Sequence, residues 1–246
     1  MPTPSPDAFA ALARSSPWRW NTLRCTVRWP GDPWKTGRLR AWLRRPDVLR
    51  VETIDGALLQ VVREPQRDAV PEPGCRPDGL VAERRRAWDH SLDDPMHQDY
   101  HWVAMLDPVE LGDGRDPDTE VLVPALELES VAEVEHAGRP TWEAFVRPTD
   151  AYEPRCGCCP LLRTRVVDLA EFGAGGRHLL DAYPDAFRVR LDVQTGVCVL
   201  TEALGGDVAG RGHELRIEAV DEPMADDLFT EPRRGILRRR GWSTYP

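Results

Sequence analysis

Three thiols occupy four consecutive positions in Arg155-Cys156-Gly157-Cys158-Cys159-Pro160, and thiols this close can do two kinds of chemistry. As thiolates, Cys156, Cys158 and Cys159 are soft ligands suited to zinc or to monovalent copper, which accepts low coordination. As a redox group they can exchange electrons, with Arg155 placed to lower a thiol pKa. Each use meets an obstacle. Structural zinc takes four ligands and no second knuckle of the usual spacing follows, so Cys75 or His136 would have to complete the set from far along the chain. The pattern is not Cys-x-x-Cys, and a bridge between the vicinal Cys158 and Cys159 is strained. The plain alternative is that these are small apolar residues packing a turn.

His97 and His101 stand at helical i, i+4 spacing with Asp93, Asp94 and Asp99 nearby, a geometry that suits a divalent metal. Position 98 is Gln rather than the Glu of a metalloprotease helix and no third ligand is evident, so a solvated or helix-capping pair is the reading. Trp18, Trp20, Trp29, Trp34 and Trp42 crowd the first fifth of the chain. Core packing and edge covering account for most of them, with a ligand cavity or nucleobase stacking as functional alternatives. Glycine-rich phosphate loops, dinucleotide fingerprints and nucleophile elbows are missing, and no reaction is assigned.

The elements that must position these groups are mainly strands. In residues 22–29, Leu23, Cys25, Val27 and Trp29 alternate with Thr22, Arg24, Thr26 and Arg28, the period of a half-buried strand with an arginine ladder on its other face. Residues 37–44 look like its antiparallel partner, and residues 48–54 and 57–63 flank Asp55-Gly56, a strong hairpin signal. Strands are further expected over 126–136, 140–147, 187–193, 197–204 and around Leu215, Ile217 and Ala219. Short helices are expected over 8–14 capped by Asp7, over 80–90, over 95–106 capped by Asp94, and within 161–180. The reading is a mostly antiparallel α+β domain over 1–232, with a helical and loop insertion at about 65–124 and a basic, flexible tail over 233–246.

Composition limits the partners. A formal charge of -9 on 246 residues disfavours nonspecific binding to nucleic acid or anionic lipid. Residues 1–50 nevertheless hold ten basic residues against three acidic ones, and the simplest reading is that arginine-rich strands pair beside glutamate-rich ones in one sheet. Neither a signal peptide nor an apolar run long enough for a membrane span is present, so a cytoplasmic protein with no transmembrane segment is expected.

The segment Gly37-Arg38-Leu39-Arg40-Ala41-Trp42-Leu43-Arg44-Arg45-Pro46-Asp47-Val48-Leu49-Arg50-Val51 resembles the strand, Arg-Pro turn, strand segment of the lipoprotein-carrier superfamily shared by LolA, LolB and RseB. Leu191-Asp192-Val193-Gln194-Thr195-Gly196 is similar to its late hairpin, and residues 215–229 with Glu231-Pro232 are similar to its closing strand and Asp-Leu-Phe ending. The resemblance covers roughly a third of the chain. It implies a curved open sheet, a half-barrel, whose concave face is covered by short helices around an apolar cavity that accepts acyl chains. The function it implies is non-enzymatic binding of a hydrophobic or acyl-type small molecule; the inward residues of the early strands, Leu23, Val27, Leu39 and Leu43, and of the late hairpin, Val189 and Leu191, are the expected lining. The alternative is a metal- or redox-responsive module that meets a protein partner and uses the Cys156 to Cys159 loop as its sensor.

Overall fold

Alternating apolar and charged residues give this chain its sheet, because a strand sends successive side chains to opposite faces. The computed structural model describes residues 3–33, 35, 37–65, 72–83, 93–116 and 118–231. Nine strands form one antiparallel sheet: β1 (Thr22–Arg28), β2 (Arg38–Arg44), β3 (Val48–Thr53), β4 (Leu58–Arg63), β7 (Leu126–His136), β8 (Arg139–Pro148), β9 (Ala186–Asp192), β10 (Cys198–Leu204) and β11 (Gly212–Val220). A separate two-stranded ladder joins β5 (Gly114–Arg115) to β6 (Leu122–Val123). The large sheet runs in the order β4-β3-β2-β1-β11-β10-β9-β8-β7. It is open, with β4 and β7 as its edges, and breaks in register within four of its strand pairs bend it.

The chain therefore builds two meanders and joins them where β1 pairs β11, with Cys25 opposite Ile217 and Val27 opposite Leu215. On one face Leu23, Val27, Leu43, Leu49, Val51, Val189, Leu191 and Leu215 are buried in a single apolar core. On the other, Arg24 and Arg40 approach Glu218 at 3.6 and 3.8 Å, Arg28 pairs with Glu214, and Arg190 meets Glu143 at 2.7 Å. This is the pairing of arginine-rich with glutamate-rich strands expected from the charge pattern. Exposed pairs of this kind stabilise by about 0–1 kcal/mol each, so their main effect is to give neighbouring strands opposite charges.

Three short helices complete the fold: α1 (Pro6–Ser15), α2 (Tyr100–Leu106) and α3 (Arg165–Phe172). The cap of α1 is Ser5, whose Oγ accepts the Ala8 N–H at 3.2 Å, rather than Asp7. Phe9 and Leu12 put its apolar face into the core. Ser16 Oγ donates to Leu106 O at 2.5 Å, tying the end of α1 to α2. At the turn between β9 and β10, Gly196 has φ +74°, and a Cβ there would come within 2.7 Å of the Leu12 carbonyl of α1. Only glycine fits both the positive φ and that approach.

The helix expected from residue 95 begins at Tyr100. Asp94 does not cap it, because both its oxygens are 2.7 Å from the Arg45 guanidinium, and Gln98 has φ +68°, a conformation no helix continues through. Of the helix expected over 80–90, Val81 instead forms a β-bridge with Cys75, and residues 84–90 lie outside the described ones. Trp34 and the tail 233–246 lie outside them as well.

Candidate functional site

The cysteine loop is held at both ends by one carboxylate. Glu110, only 1% exposed, accepts the Arg155 backbone N–H on Oε2 at 3.1 Å and the Leu161 N–H on Oε1 at 3.0 Å. The Tyr152 hydroxyl donates to Oε1 at 2.5 Å and accepts the Leu162 N–H at 3.1 Å. Burial and the neighbouring Glu110 charge push the Tyr152 pKa well above its ordinary value, so it stays a hydroxyl donor. The Arg155 guanidinium is turned inward, to Asp93 and to Asp107 at 2.6 Å, with its side chain 3% exposed. Arg155 is therefore a buried anchor of the loop, paired away from the thiols whose pKa the sequence pattern had it lowering.

Between these anchors the three sulfurs converge. Cys156 Sγ and Cys158 Sγ are 2.7 Å apart, Cys158 Sγ and Cys159 Sγ are 3.6 Å apart, and all three lie within 4.8 Å of one another. Among the described residues, no His, Asp, Glu or further Cys joins this cluster. His136 is occupied elsewhere, with Nε2 2.9 Å from Leu215 O, and Cys75 is exposed beside its bridge to Val81. Burial, then the neighbouring Cys156, raises the pKa of both Cys158 and Cys159.

Beside the loop a cleft of 360 Å³ opens toward the sheet. Trp29, Cys158, Cys159, Pro160, Leu161 and Phe172 line it, together with Phe187, Thr201 and Ala203 of β9 and β10. Charged residues line it in pairs: Lys35 with Asp99 at 2.6 Å and Arg163 with the buried Asp168 at 2.8 Å. Arg211, exposed at its rim, makes no side-chain ion pair among the described residues. Thr164 builds this wall by capping α3, its Oγ1 accepting the Val167 N–H at 3.2 Å.

The two histidines of the sequence pattern separate. His97 lies before α2 and its Nδ1 is 2.6 Å from Gln60 Oε1, whereas His101 is in the helix with Nδ1 3.2 Å from Pro160 O and Nε2 3.2 Å from His213 Nδ1. Both are buried, at 6% and 9% exposure, so they neither share a face toward one metal nor form a solvated pair. His213 in turn has Nε2 2.8 Å from Cys198 O. Burial lowers the His101 pKa to about 4 and pulls His213 well below its usual value, with the neighbouring imidazole adding to the effect on His213. His213 carried no signal in the sequence, because its partner lies over a hundred residues away.

Of the residues read as a ligand lining, Leu23, Val27, Leu43, Val189 and Leu191 are 0–2% exposed within the packed core and Leu39 packs against it. None of the six borders the cleft. Among the tryptophans, Trp29 lines the cleft with its ring 6.2 Å from that of Trp102, while Trp20 is buried under the Arg45 guanidinium.

Fold and site together define an open antiparallel sheet with a loop-walled cleft on its helix-covered side, as the sequence resemblance implies for the sheet. No family model matches the chain, and no curated protein does. Among solved structures it is similar to MucB, with 16% identity and a TM-score of 0.41 over 91% of this chain. The chain spans 61% of the length of that MucB chain. It is also similar to LprF from Mycobacterium bovis, with 11% identity and a TM-score of 0.37 over 91% of this chain and 97% of the other. Among the described residues, no helix is long and apolar enough to cross a membrane.

Proposed function

We propose that this protein is a non-enzymatic binding protein that holds a hydrophobic or acyl-type small molecule in the cleft between β9, β10 and the Cys loop. The observation that carries the reading is the cleft itself. Its 360 Å³ falls within the roughly 300–1,000 Å³ range of ligand pockets, and apolar Phe187, Ala203, Leu161, Phe172, Val208 and Trp29 border it. The body of an acyl chain would lie against Phe187 and Ala203, and its anionic head would meet Arg211 at the rim. Val189 and Leu191, further along the strand from Phe187, become lining positions if the cleft deepens along β9. The reading includes a reducing, cytoplasmic setting, which the density of thiols at 156–159 favours.

Native mass spectrometry after incubation with palmitate tests it. One palmitate per chain is expected. Ala203→Phe, which fills the cleft at the sheet, removes the complex, and Arg211→Glu weakens it about tenfold, equivalent to about 1.4 kcal/mol. A wild-type protein that takes up no palmitate, or variants that bind it unchanged, refutes the reading.

A further inference from the structure

The geometry points to a trithiolate site for copper(I) at Cys156, Cys158 and Cys159, a function separate from the apolar ligand of the neighbouring cleft. Three observations support it together. First, the sulfurs are already gathered: metal–thiolate bonds of about 2.3 Å place three sulfurs around one ion roughly 4 Å apart, and the loop holds all three Sγ atoms within 4.8 Å. Opening the 2.7 Å approach of Cys156 to Cys158 is the one adjustment needed. Second, the loop is preorganised from behind, since Glu110 takes the N–H groups of Arg155 and Leu161 on either side of it and the Arg155 side chain is locked between Asp93 and Asp107. A cation therefore has few loop conformations to freeze out, which lowers the entropic cost of binding.

Third, the donor set selects the ion. Soft thiolates favour copper(I) and zinc, but structural zinc closes its tetrahedron with a fourth protein ligand. Among the described residues no fourth Cys, His, Asp or Glu stands close enough. Three sulfurs with no further ligand match a low-coordinate monovalent ion. The site is also reachable, because Cys158 is exposed and borders the cleft mouth. Glu171 adds negative charge nearby, and it packs so close to Gly157 that a Cβ there would meet its carboxylate. Binding forms up to three Cu–S bonds and releases the corresponding thiol protons to solvent; neither copper nor sulfur changes oxidation state.

The test is a competition titration of the reduced, full-length protein under anaerobic conditions with copper(I) bound to bathocuproine disulfonate, read by loss of the chelate's colour and by native mass. One copper per chain is expected. Losing an outer-shell partner of a metal ligand already costs roughly 10–100-fold in affinity, so Cys156→Ser, Cys158→Ser and Cys159→Ser should each lose at least that much. Cys75→Ser should match the wild type. Cys158→Ala, at an exposed position, provides a second variant in which loss of binding is not loss of the fold, and circular dichroism checks this. Failure of the reduced protein to take copper from the chelate overturns the proposal. So does uptake that persists in the three serine variants, or tighter binding of zinc(II) than of copper(I) at the same thiols. Palmitate binding is measured separately and stands or falls on its own.

Discussion

Replacing Glu110 by Gln keeps the shape of the side chain and changes only what it can accept. In the native protein Oε1 receives the Tyr152 hydroxyl and the Leu161 N–H, and Oε2 receives the Arg155 N–H. An amide has one oxygen. If that oxygen serves Tyr152 and Leu161, its NH2 group faces the Arg155 N–H, donor against donor, in a site where Glu110 is 1% exposed. The flipped amide instead opposes two donors and is worse. A hydrogen bond to a charged group contributes about 1.5–3 kcal/mol and a buried donor left without an acceptor costs a similar amount. We therefore expect Glu110→Gln to destabilise the protein by about 2–4 kcal/mol. At about 2–4 °C per kcal/mol for a chain of this size, Tm falls by roughly 4–16 °C. Because the Arg155 end of the loop is released, the Cys156 and Cys158 thiols should also react faster with a disulfide reagent under native conditions. Urea denaturation and thiol-modification kinetics on the same samples measure both effects. A variant within about 0.5 kcal/mol of the wild type, with unchanged thiol kinetics, would show that Glu110 does not clamp the loop.

Three further outcomes follow from the same geometry. His101 has a folded pKa of about 4 against an ordinary value near 6.5, so the unfolded chain binds the extra proton first. Stability should thus be full above about pH 6.5 and fall on acidification toward pH 4, by on the order of 3 kcal/mol, more if His213 contributes; urea midpoints that stay flat or rise between pH 7 and 5 would mean the His101–His213 contact holds a proton after all. Cys25, whose thiol is pushed up to about 12 by burial and Glu218, and the fully buried Cys198 should resist alkylation in the native protein. Quantitative labelling before and after denaturation checks this, and modification of Cys25 or Cys198 in the folded state contradicts it. Gly196→Ala forces a Cβ against the Leu12 carbonyl at φ +74° and should cost about 1–3 kcal/mol in thermal unfolding; a neutral result would show that α1 and the β9–β10 turn separate freely.

Much of the sheet was legible in the sequence because alternation is a local signal. Leu126–His136 was read with the boundaries it has, and β1, β2, β3 and β4 end within a residue of expectation. The arginine and glutamate ladder was legible for the same reason, since charge alternates with the pleat. What was not legible depended on partners distant in the chain. Asp94 has the look of a helix cap, but Arg45, 49 residues away in sequence, takes both its oxygens. The i, i+4 spacing of His97 and His101 suggested one shared face, and Gln98 breaks the helix between them. The thiol cluster stood out in the sequence, while its supports Glu110, Tyr152 and Asp107 are ordinary residues whose role comes only from folding. The 360 Å³ cleft was not legible along the strands, because alternation shows which side chains point inward, not which of them border a cavity. Leu23, Leu43, Phe187 and Ala203 all belong to the one buried core, and only the last two also line the cleft.

The seam between β1 and β11 pairs Leu23 with Val220, so the first strand of the sheet finds its second neighbour only when nearly the whole chain is available. During synthesis the meander from β1 to β4 can assemble early, from local contacts, while one hydrogen-bonding edge of β1 still waits. An open edge of that kind invites pairing between nascent chains. Here it carries Arg24 and Arg28, whose like charges repel the same edge of another copy until β11 arrives with Glu214 and Glu218. The ladder that balances charge in the finished sheet thus leaves only like charges on that edge of β1 until β11 pairs with it.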